Sequence, residues 1–317
     1  MMTRTECAQW LLERDHFTLL THRRPDGDTI GSAAALCLGL RSLGKTCHVL
    51  QNPELTPQLA PLLEGLTKAE PEEGDLLVAV DVAAVTMLPR EYDSFRDSID
   101  LRIDHHGKDR GFTPLSLVES ESASCAELVW DLFGEMDIEM DEKMADAIYV
   151  GTSTDTGCFR FGNTNAHTFD TAADCTAAGA DIFYWNQLLF DTNTMSKLRL
   201  QGWVAEHTQL FCDGKMALCV LPRSVEQELG VTEDDLGNLC SFIRSIEGVC
   251  MAALLRETEE NVTKVSVRSI PGWDSTAVCG IWGGGGHIGA AGASLHLNLA
   301  QAEKTVFQAM IQWERTR

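Results

Sequence analysis

Three short apolar runs of this chain stop abruptly at acids or histidines. Phe17–Thr21 runs into His22, Leu76–Val80 into Asp81, and Leu101–Ile103 into Asp104-His105-His106. The middle run has no polar alternation, which marks a strand buried on both faces, as in the centre of a parallel sheet. Thr46–Leu50 reads as a further strand. Helical patterns separate these runs, so the texture is that of an α/β fold with an open parallel sheet. Such sheets bind ligands outside the carboxyl ends of their strands. Residues distant in sequence are therefore expected to meet at one sheet edge.

The helices expected between and after the strands are Gly31–Leu43, Ser124–Phe133, Glu142–Thr154 and Asn165–Ala178, the last closed by Gly179. Met144, Ile148 and Gly151 form an i, i+4, i+7 stripe that Asp155 continues, so this carboxylate extends an inward face. After a connecting helix within 191–209 the pattern changes. Leu210–Leu221 reads as a hairpin around Asp213-Gly214, Val249–Arg256 and Asn261–Ile270 as strands, and Leu299–Trp313 as a closing helix. The expected division is residues 1–190, a linker over 191–209, and a smaller α/β domain over 210–317.

Length and charge agree with that picture. A chain of 317 residues exceeds one ordinary hydrophobic core. With 25 basic and 47 acidic side chains it carries a formal charge of −22, which repels long nucleic acid. If the chain handles nucleotides, a short substrate held by metals and a local basic pocket is the more natural expectation. The eleven cysteines show no zinc-like spacing and point to a reducing cytoplasm. Ser275–Ala302 lacks charged residues, yet its seven glycines and two histidines argue against a membrane span.

Each cluster has an ordinary explanation beside the chemical one. Pro25-Asp26-Gly27 is a common turn sequence, Asp81 is a candidate helix N-cap, Asp104-His105-His106 a candidate solvated loop, and Asp155 a turn residue in Thr154-Asp155-Thr156-Gly157. Their coincidence at strand ends favours metal ligation. Carboxylates with imidazoles and no thiolate suit Mn²⁺, with Mg²⁺ or Co²⁺ as substitutes. The ligand set exceeds what one ion uses, and two ions about 3.5–4 Å apart support hydrolysis of phosphate esters without a serine or cysteine nucleophile.

Gly283-Gly284-Gly285-Gly286-His287 is a second signal, read as a loop whose N–H groups cradle an anion; the alternative is a flexible linker. Arg268, a cation in an apolar strand, is either salt-bridged or an anion ligand.

His22-x3-Asp26-x-Asp28, Asp81, Asp104-His105-His106, Asp155-Thr156-Gly157, Arg268-Ser269 and Gly284-Gly285-Gly286-His287, in this order, resemble the DHH/DHHA1 phosphoesterase family over nearly the whole chain. The compact length and the run Asp155–Thr164 resemble its short bacterial branch of nano-RNases, 3′-phosphoadenosine-5′-phosphate phosphatases and cyclic- or linear-dinucleotide phosphodiesterases. The resemblance implies an N-terminal parallel-sheet DHH domain and a smaller DHHA1 domain. It implies two Mn²⁺ ions held by His22, Asp26, Asp28, Asp81, His105 and Asp155, with Asp81 as the bridge. His106 would contact the scissile phosphate with Asp104 behind it, and Arg268, Gly284, Gly285, Gly286 and His287 would hold the far end of a short nucleotide. Asp109 stands where the family often has Asn. A homodimer is allowed; no membrane or long nucleic-acid partner is expected. Hydrolysis of pyrophosphate or polyphosphate, and nucleotide binding without turnover, are the competing readings.

Overall fold

The apolar runs become strands in the computed structural model, which describes residues 1–107 and 111–316. The chain divides into two compact units, Met1–Thr192 and Asn193–Arg317. In the first, α1 (Arg4–Leu12), β1 (Phe17–Leu20), α2 (Gly27–Ser42), β2 (Cys47–Leu50), β3 (Thr67–Lys68), β4 (Leu76–Val80), β5 (Ile99–Asp104) and β6 (Leu115–Val118) precede α3 (Cys125–Glu135), α4 (Glu142–Asp155), α5 (Ala166–Ala177) and α6 (Ile182–Asn186). The sheet order is β3-β2-β1-β4-β5-β6, and every pairing is parallel. The order reverses between β1 and β4. That reversal opens a crevice at the strand C-termini, where ligands of such sheets bind.

Alternation along β4 explains its unbroken apolar sequence. Val78 and Val80 enter a core with Leu36, Leu40, Leu132 and Ile148, whereas Leu77 and Ala79 enter another with Leu20, Leu50, Leu88 and Tyr92. Glycines let the helices of the first core approach closely. A Cβ at Gly31 would lie 2.3 Å from the Ala147 carbonyl, and one at Gly151 would lie 2.5 Å from Ala126 Cβ. Backbone-to-backbone contact of α2 with α4 follows, and it sets Asp28 on α2 beside the last turns of α4.

Several local expectations change. Helix α2 starts at Gly27, four residues before the expected start, because Asp26 caps it by accepting from the Asp28 and Thr29 N–H groups. Helix α1 was not expected; a Thr3–Glu6 capping box starts it and Cys7, Ala8 and Leu11 anchor it. The short strands β3 and β6 were also unread.

In the second unit, α7 (Met195–His207), β7 (Gln209–Phe211), β8 (Met216–Leu221), α8 (Arg223–Leu229), α9 (Leu239–Arg244), β9 (Met251–Glu259), β10 (Val262–Ser269), α10 (Ser275–Cys279), β11 (Gly285–His287), β12 (Ala290–Leu295) and α11 (Leu299–Thr316) build a mixed sheet of order β11-β12-β10-β9-β8-β7. The helix read as a connector, α7, buries Leu200 and Val204 in this unit's core. The uncharged stretch 275–302 breaks into α10, β11, β12 and the start of α11, and no described helix is long and apolar enough to cross a membrane.

The glycine run is not a loop. Gly285–His287 pairs antiparallel with Ala290–Gly292 as the edge strand of the sheet. Added Cβ atoms at Gly284 and Gly286 would lie 2.3 Å from the Gly292 and Ala290 carbonyls, so close backbone packing demands glycine at both positions.

Candidate metal centre

Two strands at the crevice deliver the first ligands. His22 follows β1 after Thr21, and Asp81 is the residue next after β4. Asp81 adopts φ +58°, a left-handed conformation that costs a non-glycine residue about 1–3 kcal/mol and concentrates at functional sites. Its N–H donates to the Ile103 carbonyl of β5, 2.9 Å away, which holds the turn against the next strand.

The two Asp81 oxygens face opposite ways. Oδ2 lies 3.5 Å from His22 Nε2, whereas Oδ1 lies 3.7 Å from His105 Nε2 and 3.5 Å from His106 Nδ1. His22 Nε2 also lies 3.5 Å from Asp26 Oδ1, and His105 Nε2 lies 3.7 Å from both Asp28 Oδ2 and Asp155 Oδ2. Potential donor atoms thus form one group of His22, Asp26 and Asp81 and another of Asp28, His105 and Asp155, with Asp81 also grouped with His105 and His106. Asp81 is the carboxylate common to both sides.

Hydrogen bonding fixes the imidazoles. His22 Nδ1 is 2.9 Å from the Arg23 carbonyl and His105 Nδ1 is 3.2 Å from the Ser122 carbonyl. A carbonyl only accepts, so each ring keeps its proton on Nδ1 and turns the Nε2 lone pair toward carboxylates when neutral. Lone pairs facing carboxylates repel unless a cation lies between them. Two donors each about 2.0–2.2 Å from one cation lie roughly 3–4 Å apart, the spacing seen here. Asp81 Oδ1 is buried without a hydrogen-bond partner. A cation would satisfy that orphaned oxygen, and two divalent cations would balance the four carboxylates of Asp26, Asp28, Asp81 and Asp155. The residues present fit a metal pair.

Burial and mutual repulsion shift the acidities of the cluster. Burial, then the charge of Asp81 and Asp155, pushes the Asp28 carboxyl well above its usual range. Burial raises Asp155 to about 6. For His22, burial opposes the charged form, but the bonds to Asp26 and Asp81 prevail and carry it to about 11. Asp28 is further held by the start of α3, accepting from Cys125 N at 2.7 Å and Ala126 N at 2.9 Å, and from Ser32 Oγ at 3.1 Å.

Behind His106 lies an arrangement that sequence reasoning missed. Arg102 is fully buried; its Nε donates to Asp104 Oδ2 at 3.1 Å, and its Nη2 forms an ion pair with the same oxygen at 2.8 Å. Asp104 Oδ1 accepts from His106 Nδ1 at 2.8 Å and from the His106 N–H at 3.1 Å. The bond to Asp104, partly offset by burial, raises His106 to about 9. Arg102 and Asp104 are two residues apart on β5, so the alternation of a strand places both on one face, a signal present in the sequence. The Asp26 oxygen that faces His22 is also the one that caps α2. Asp81 caps no helix.

In the second unit Arg268 on β10 pairs in register with Ala290 on β12, which pairs with His287 on β11. That row sets Arg268 and His287 two strands apart on one level of the sheet. Among the described residues no carboxylate forms an ion pair with Arg268, whose Nη1 donates to the Val267 carbonyl at 3.1 Å. Among the described residues nothing supports the salt-bridge explanation of this arginine. Asp109 and the His287 side chain lie outside what the structure describes.

Known proteins resemble the chain throughout. Residues 16–152 match the DHH family, N-terminal domain, and residues 214–315 match the DHHA1 domain. A bifunctional oligoribonuclease and PAP phosphatase NrnA of Thermus thermophilus is 33% identical, over 94% of this chain and 90% of its own. The cyclic-di-AMP phosphodiesterase PdeA of Listeria monocytogenes is 25% identical, over 95% of this chain and 48% of its own. A crystal structure of an exopolyphosphatase-related protein from Bacteroides fragilis superposes with a TM-score of 0.89 at 25% identity, covering 99% of this chain and 97% of that one. With both domains in sequence and a relative at that identity, the chain belongs to the DHH family.

Proposed function

We propose that this chain is a phosphoesterase that hydrolyses short oligonucleotides or small nucleotides, using a pair of Mn²⁺ ions. One observation carries the reading: two imidazoles, each locked by a carbonyl at Nδ1, turn Nε2 toward carboxylate oxygens at 3.5–3.7 Å. His22, Asp26 and Asp81 would hold one ion, and Asp28, His105, Asp155 and Asp81 the other. When bound, such a pair supplies Lewis acidity and a water acidified enough to attack at neutral pH. Oxygen and imidazole ligands without thiolate favour manganese.

The chain's own residues account for the rest. His106, its Nδ1 bonded to Asp104, would contact the scissile phosphate, and that bond favours the charged ring. Arg102 holds Asp104, so the pair orients the ring without touching substrate. Arg268, with no carboxylate partner among the described residues, and the adjacent glycine hairpin would bind the nucleotide's other phosphate. The substrates named for the Thermus thermophilus and Listeria monocytogenes relatives support this class. Eleven free thiols suit a reducing cytoplasm.

A product-resolved panel tests the proposal: di- to pentanucleotides, a 3′,5′-bisphosphonucleotide, cyclic dinucleotides and pyrophosphate, each with Mn²⁺ and with chelator. Metal-dependent release of mononucleotides is expected. Turnover of pyrophosphate alone, or of nothing, would refute it.

A further inference from the structure

The turn that follows Asp155 is built at a conformational cost and ends in an exposed ring and a cation with no carboxylate partner among the described residues. Gly157, Cys158 and Phe159 are successive left-handed residues, with φ of +58°, +57° and +61°. The turn is held from within: Cys158 N donates to the Ser153 carbonyl at 2.6 Å, Phe159 N to Thr156 Oγ1 at 3.1 Å, and Phe161 N to the Thr156 carbonyl at 2.9 Å. Asn163 Nδ2 ties it to the metal centre through the Ala123 and Asp155 carbonyls, at 2.9 and 3.2 Å. The Phe159 ring packs between Tyr149 and Phe169.

This frame presents Arg160 and Phe161 outward. Arg160 Nε donates to the Gly157 carbonyl at 2.6 Å, which fixes the guanidinium plane, and no described carboxylate pairs with its remaining nitrogens. The Phe161 ring rests on Gly157, where an added Cβ would come within 2.4 Å of it, yet the residue stays 54% exposed. An arginine with no acid partner among the described residues, five positions after Asp155 in a chain of charge −22, is suited to an anion. An exposed, backed aromatic ring is suited to a nucleobase, since bases stack on such rings irrespective of sequence.

We propose that Arg160 and Phe161 form a nucleotide grip of the first unit. Arg160 binds a non-scissile phosphate, and Phe161 stacks on a base of the short single-stranded substrate whose phosphoester lies at the metal centre. The grip rests on the phosphoesterase reading and adds to it two substrate-contacting residues.

Steady-state kinetics with Mn²⁺ on a dinucleotide and on its analogue lacking one base test it. Phe161→Ala raises KM for the dinucleotide by about 5- to 150-fold, changes kcat by less than about twofold, and is restored by Phe161→Trp. The penalty shrinks at least about fivefold on the abasic analogue. Arg160→Gln raises KM about tenfold on both substrates. A readout free of turnover is quenching of a methylene-bridged 2-aminopurine dinucleotide, strong with the unaltered chain and lost in Phe161→Ala. Failure of the unaltered chain to hydrolyse any nucleotide would count against the phosphoesterase reading, while the quenching still decides the grip. Equal penalties on both substrates, absent quenching, or a loss of self-association with unchanged KM would overturn it.

Discussion

The sheet of the first unit carries an imidazole–carboxylate cluster at each end, and the two are built differently. At the amino ends of its strands, His48 Nε2 lies 2.7 Å from Thr18 Oγ1 and 3.1 Å from Asp75 Oδ2, and Thr18 Oγ1 lies 2.6 Å from that same carboxylate. At the carboxyl ends, His22 and His105 stand 3.5–3.7 Å from their acids. Hydrogen bonds join Thr18, His48 and one oxygen of Asp75 directly, although the other Asp75 oxygen is buried without a partner, and burial lowers the His48 pKa toward the neutral ring. The second is spaced for something between the groups, and burial raises its Asp28, Asp81 and Asp155. Contact distance, rather than composition, separates a structural cluster from a ligand shell.

The largest effect that would sharpen this contrast comes from Asp81→Asn. Loss of the shared carboxylate should lower kcat by on the order of 10³-fold, because metal polarisation is worth several kcal/mol. The chelated variant should melt about 2–4 °C higher than the unaltered chain, since one charge of a repelling set is gone. A lower melting point would show that Asp81 is structural and collapse the distinction between the two ends. Next is Arg102→Met, which removes the buried guanidinium from Asp104 and leaves it paired with His106; a loss of about 3–5 kcal/mol by denaturant titration is expected. A neutral result would mean Asp104 is not held as an ion.

Much of the first end was legible and much was not. The abrupt halt of apolar runs at His22, Asp81 and Asp104 is a covalent fact of sequence, and the parallel sheet converts it into proximity. The helix start at Gly27 was obscured because Pro-Asp-Gly signals turns and caps alike. Helix α1 was missed despite its capping box, since Cys7, Ala8, Trp10 and Leu11 make a weak apolar stripe. Strand β3, two exposed residues, leaves no periodicity to read. The glycine run reads as a loop in sequence because glycine permits both an anion nest and close strand packing; its edge-strand pairing with Ala290–Gly292 emerges only from the fold.

Smaller effects probe the other end. Asp75→Asn weakens the bonds to Thr18 and to the Glu72 N–H, so it should cost about 1–3 kcal/mol of stability and leave turnover intact. Loss of turnover would make that cluster functional too. The smallest is a pH effect. With chelator present, Asp155 titrates near 6 when folded, above its ordinary value near 3.8, so the folded chain binds this proton more tightly. Its contribution therefore falls as pH rises from about 4 to 6, by on the order of 1 kcal/mol. Melting curves across that range should flatten in Asp155→Asn and with saturating Mn²⁺; an unchanged slope would separate Asp155 from the site.

Manganese stoichiometry by equilibrium dialysis, with electron paramagnetic resonance on the same samples, tests the central claim most directly. Two ions per chain with a spin-coupled signal are expected, with coupling abolished in Asp81→Asn. One uncoupled ion or none in the unaltered chain, or a coupled pair that survives Asp81→Asn, would contradict a two-metal centre bridged by that carboxylate.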